Sequence, residues 1–189
     1  MSPPSEDFDL RIKYRVLRRP VKYARLELRG SELWIIIPKD ADLSKVIKEN
    51  KKWIIQQSRL VEEAQKLAST LEIVPRTRRK FRALVERLVS EYASILNVKV
   101  NKVFIRKMKN SWASCSSAGN ISISREARYL PEKLIRYIIY HEVCHLVRWR
   151  HDQVFHELIS RFFPDHEKLD LQLHAYWIKL NAMNSPRGA

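Results

Sequence analysis

Residues 141–151 read His-Glu-Val-Cys-His-Leu-Val-Arg-Trp-Arg-His, and four of these side chains have the types and spacing of a metal-assisted hydrolytic site. His141 and His145 are four positions apart, about 40° in angle and about 6 Å in rise on a helix, so both imidazoles can reach one ion. Glu142 is turned by about 100° from His141, outside the ligand shell but close to a water held on the ion, where a general base is needed. His151, ten positions after His141, supplies a third ligand if the chain turns back after Leu146. Three protein ligands leave a position for water, whose pKa zinc lowers to roughly 7 while polarising a carbonyl. The expected site is therefore Zn2+ on His141, His145 and His151, with Glu142 as the catalytic acid/base. An acid on a later helix is the alternative third ligand, and Asp165 or Glu167 can play that part. His174 or Tyr176 is a candidate oxyanion donor, while His156 and His166 read as surface or packing residues. Cys144 reads as a small buried residue packing the helix, and Cys115 as a thiol in a Ser-Cys-Ser loop.

These side chains need a helix that ends at the right place. Pro131 opens one, and Leu134, Ile135, Ile138 and Ile139 carry it to about Leu146 with an apolar stretch that buries its approach to the motif. Asp152 caps a following helix over Gln153 to Phe163, stopped by Pro164, and a last helix covers roughly Glu167 to Leu180. Upstream, strict alternation from Leu10 to Val16, a second alternation through Tyr23, Leu26 and Leu28, and the run Leu33–Ile37 ending at Pro38 predict an antiparallel meander over residues 9–38. Asp40 or Asp42 caps a helix running to about Thr70, and a second helix extends from Thr77 to a stop at Asn97. Strands are expected at Lys102 to Met108 and at Asn120 to Ser124, the latter an edge strand to which an extended peptide can add. The turn-rich segment 110–119 separates them.

The chain of 189 residues carries a net charge of +15, unevenly placed: residues 1–110 hold 26 Lys and Arg against 13 acids, and residues 111–189 hold 10 against 8. A nucleic-acid partner on the basic N-terminal part is one reading of that surplus, and a solvated surface is the other. Two cysteines exclude a disulfide framework. No basic start followed by an apolar run is present and no run is long enough to cross a bilayer, so a cytoplasmic protein without membrane association is expected.

Ser111-Trp112-Ala113-Ser114-Cys115-Ser116, Gly119-Asn120-Ile121, and Tyr140 to Leu146 with His151, Phe155 and Pro164-Asp165 resemble the YgjP-like metallopeptidase family, related to the WLM and SprT-like peptidases. The similarity is strongest over residues 103–177. It implies an α+β, zincin-like core with His141, His145 and His151 as zinc ligands and Glu142 as acid/base. Ala113 departs from a usual Gly and His156 from a frequent aromatic residue, and Arg148 stands where the metzincins have a turn Gly. On this reading residues 1–75 form the meander and helix, part of the same domain as the catalytic core 76–182, and residues 183–189 a flexible tail. The expected function is zinc-dependent hydrolysis of peptide bonds in protein or peptide substrates. A nucleic-acid-associated protease and a non-catalytic, zinc-stapled binding protein are the alternatives.

Overall fold

The computed structural model describes Leu10 and residues 12–184. It is α+β, with two small sheets and six helices among the described residues. The contacts divide the chain into two units, residues 1–69 with 177–189, and residues 70–176.

In the first unit, β1 (Lys13–Arg18), β2 (Arg25–Arg29) and β3 (Glu32–Ile37) form a sheet in the order β1-β3-β2. β1 runs parallel to β3 and β2 antiparallel to it, so the sheet is mixed where the alternation predicts an antiparallel meander. The reason lies at residues 19–24. Pro20 has no N–H to continue a ladder, the Arg19 N–H bonds to the Ile37 carbonyl and the Val21 N–H to that of Arg19, so β1 and β2 are not joined as a hairpin. β3 takes the centre because Leu33, Ile35, Ile36 and Ile37 are all buried, and an apolar run of that kind suits a strand covered on both sides. Gly30, at φ 62°, makes the tight turn from β2 to β3.

Asp42 caps α1 (Leu43–Glu49), its carboxylate accepting from the Lys45 N–H. The single helix expected over this stretch is broken at Asn50. There the side-chain Nδ2 donates to the Val46 carbonyl, an amide competing with the backbone, and α2 (Lys51–Thr70) starts afresh. Leu33, Ile35, Ile37, Val46, Ile47 and Ile54 form this unit's core.

In the second unit, Thr77 caps α3 (Arg78–Ile95), and Asn97 closes it in the left-handed conformation at φ 51°. A second sheet follows: β4 (Lys102–Arg106), β5 (Ala113–Cys115) and β6 (Asn120–Ser124), in the order β4-β6-β5. β5 lies inside the segment expected to be only a connection. Its three residues carry no strand period, and their place comes from antiparallel pairing with β6, closed by a turn at Gly119, φ 73°. β6 is consequently the central strand and not an edge, with β4 parallel on its other side. A 3-10 turn over Arg125–Tyr129 leads to α4 (Glu132–Cys144), which buries Leu134, Ile135, Tyr137, Ile138, Ile139, Tyr140 and Val143 against α3 and the sheet. α5 (Gln153–Phe162) and α6 (His166–Asn184) complete the described chain, α6 passing into the first unit at Trp177. Of the tail expected at 183–189, residues 183 and 184 belong to α6 and the remainder lies outside the described residues. Among the described residues no helix is long and apolar enough to cross a membrane.

Candidate metal centre

The last turn of α4 presents His141 and Glu142, and His145 stands at its C-terminal cap. The chain then tightens. The Leu146 N–H bonds to the Val143 carbonyl, and the N–H groups of Val147 and Arg148 bond to that of Cys144. Arg148 Nε reaches across to Asp152 Oδ2 at 2.8 Å, while the other oxygen of Asp152 accepts from the Phe155 N–H as the N-cap of α5. The loop is thus pinned at both ends, and His151 is carried back toward α4.

One ligand atom from each of His141, His145 and His151 lies within 4.8 Å of the others, a group that could hold a metal ion. His141 Nε2 and His151 Nε2 are 3.1 Å apart. Nitrogens bound to a tetrahedral zinc at about 2.0–2.1 Å are separated by roughly 3.3 Å, so the donor set fits such an ion in number and type, and the His141–His151 pair stands close to that spacing. Phe155, buried beneath the cluster, has its ring centroid 4.9 Å from that of His141, 4.8 Å from His145 and 4.6 Å from His151. One aromatic ring on α5 therefore packs against all three imidazoles.

Burial, and then the neighbouring imidazoles His145 and His151, push His141 down to about 3, leaving a neutral ring. His145 is lowered by burial and by His151. Glu142 is 8% exposed, and burial raises its carboxyl to about 7, with the backbone of Cys115 drawing it partly back. Burial likewise lifts the Cys144 thiol to about 12, consistent with an inert packing residue. His151 is exposed, so the cluster opens to solvent on its side, next to Trp149, which is 55% exposed and 5.9 Å from the His145 ring.

The other sequence candidates stand elsewhere. Asp165 is paired with Lys133 at 2.7 Å, at the opposite end of α4 from the histidines. Glu167 is exposed in the first turn of α6 and is not part of the cluster. The Tyr176 hydroxyl donates to the Glu72 carbonyl at 2.7 Å, and His174 lies outside the group of three. His156 and His166 face each other with ring centroids 6.0 Å apart. Two contributors escape a reading of motifs: the Phe155 ring and the Arg148–Asp152 clamp. A signal for the clamp exists in the sequence, since opposite charges four positions apart straddle His151.

The sequence profile of the YgjP-like metallopeptidase domain matches residues 72–176. Among solved structures, the metallopeptidase zymogen abylysin of Pyrococcus abyssi is 27% identical, over 54% of this chain and 94% of that one, with a TM-score of 0.40. The metallopeptidase zymogen jannalysin of Methanocaldococcus jannaschii is 24% identical, over 47% of this chain and 90% of that one, with a TM-score of 0.42. No curated protein matches. The matched profile spans more than half of the sequence and includes the whole histidine cluster with Glu142, and the chain belongs to the YgjP-like metallopeptidase family.

Proposed function

We propose that the chain is a zinc peptidase in which His141, His145 and His151 hold one zinc ion and Glu142 moves the proton. The observation that carries this is the meeting of three imidazole nitrogens within 4.8 Å of one another, one of their rings adjoining in sequence a carboxylate buried to 8% exposure. When bound, zinc supplies Lewis acidity, lowering the pKa of water to roughly 7 and polarising a carbonyl. Glu142 takes a proton from water on its carboxylate and delivers it to the amine that leaves when the peptide bond breaks. The low exposure of Glu142 keeps bulk water from competing for that proton. Exposed Val147, Trp149 and Val154, on either side of His151 in the chain, offer apolar surface to a substrate side chain.

A purely structural zinc would have no use for a carboxylate next to an open coordination position, which favours the catalytic reading over a stapled binding protein. The test compares wild type with Glu142→Gln on unfolded casein, with the metal content of both measured. Glu142→Gln should keep its zinc and lose activity by roughly 100- to 10,000-fold. Equal cleavage by the two proteins would overturn the mechanism. For the third ligand, His151→Ala should lose zinc while Asp165→Asn and Glu167→Gln retain it; the reverse pattern would move the ligand to α6 or the residue before it.

A further inference from the structure

The second unit holds another concave site that shares no residue with the histidine cluster. A cavity of about 280 Å³ is lined by Arg78, Arg82, Arg106, Lys107, Arg125 and Arg128, with Phe81 and Ile105 as its apolar lining. The sheet brings these cations together. β4 and β6 run parallel with Arg106 opposite Ser124, so Arg106, Lys107 and Arg125 leave the sheet at the same end. Arg78 and Arg82 come from the first turns of α3, and Arg128 from the 3-10 turn.

Little around the cavity neutralises this charge. Arg82 pairs with Glu86 at 3.3 Å on the exposed face of α3, and Arg125 with Glu126 at 3.0 Å. Among the described residues no acid pairs with Arg78, Arg106 or Lys107. Arg128 lies over the Tyr129 ring at 4.5 Å, and its Nε is buried without a hydrogen-bond partner. The first turn of α3 has no acid and carries Arg78, Arg79 and Lys80, so like charge stands at the positive end of the helix dipole. Folding does not gain from six cations converging in this way. A ligand with several negative charges in a small volume would.

We propose that this cavity binds phosphate groups. Five of its six cations are guanidinium groups, whose planar forks match phosphate oxygens two at a time. The volume suits one or two phosphates in succession, as carried by a nucleic-acid backbone or by a free polyphosphate, better than a single carboxylate.

The test uses the full metal-free chain with two probes: a fluorescein-labelled twelve-nucleotide oligo-dT followed by anisotropy over a salt series, and inorganic tripolyphosphate followed by calorimetry. The pocket variant is R78Q/R106Q, and the control, K52Q/K66Q, removes two exposed charges from α2. Both should retain native melting curves, because every substituted side chain is exposed. The pocket variant should bind the probe about tenfold more weakly than wild type and flatten the log–log salt slope for oligo-dT by about 1.4, with the control unchanged. Oligo-dT that binds, and binds more weakly to R78Q/R106Q than to wild type and control, identifies a nucleic-acid backbone as the source. Tripolyphosphate that binds alone, and is lost in R78Q/R106Q, identifies a free polyphosphate. No binding of either probe at about 50 mM salt, or equal weakening in both variants, would overturn the site. The readout is binding without metal, so either result leaves the peptidase reading untouched.

Discussion

Glu142 carries an electrostatic penalty that a metal ion is suited to relieve. In the metal-free protein its folded carboxyl titrates at about 7 against an ordinary value near 4.5, so the native state holds an extra proton between those limits. Stability contributed by that proton is present below pH 4.5 and is lost as pH rises through 7, on the order of 3 kcal/mol. Glu142→Gln has nothing to ionise. In urea unfolding with chelator present, its stability advantage over wild type should therefore grow from pH 5 to pH 8; a constant difference would contradict the burial argument. His141 acts with the opposite sign, since its depressed value means that the native state binds fewer protons between about 3 and 6.5, and wild type and variant share that contribution. Phe155 is the other residue on which the cluster depends. Phe155→Ala removes the ring that contacts all three imidazoles and should cost about 3–5 kcal/mol in chemical denaturation, with zinc affinity falling as well. Unchanged zinc affinity would mean that the imidazoles hold their places without it.

The junction between α4 and α5 is what brings His151 to the two histidines of α4. α4 delivers His141 and His145 through its own geometry, but His151 depends on the loop closed by Arg148 and Asp152. Asp152→Ala removes the N-cap of α5 and the anchor of the loop at once. It should lower stability and weaken zinc binding by roughly 10- to 100-fold, the usual effect of losing a residue that orients a ligand from outside the coordination shell. Asp152→Asn retains a capping oxygen and should restore most of the stability while leaving the Arg148 contact weakened. Competition against a zinc indicator dye separates the two effects. β5 shows the same dependence on context: Ser114 and Cys115 become a strand because β6 supplies partners, and this edge places the Cys115 backbone against Glu142.

Among the described residues there are two cores. One is built on Leu33, Ile35 and Ile37 with α1 and α2, the other on α3, α4 and the second sheet. The histidine cluster belongs entirely to the second unit. Zinc at about 1,000 times its dissociation constant should add about 4 kcal/mol of stability, or roughly 8–16 °C in melting temperature for a chain of this size unfolding as one. Calorimetry with and without chelator reads this directly, and no shift on adding zinc would argue against a folded-state site.

The sequence by itself determined the parts governed by local geometry. The i,i+4 spacing of His141 and His145, a cap at Asp40 or Asp42, the helix start at Thr77 and stop at Asn97, the Asp152 cap and the apolar stripe of α4 follow from short-range rules that tertiary packing did not override. The resemblance to YgjP-like metallopeptidases was legible for the same reason, since its motifs lie in short continuous segments. What depends on partners far along the chain had to await the fold. Tertiary structure alone decided that β1 lies parallel to β3, that β6 is central and β5 the edge, and that Phe155 packs beneath the imidazoles. It also gathered Arg78, Arg106 and Arg125 around one cavity, because strand pairing and side-chain packing join residues whose separation in sequence carries no period to read.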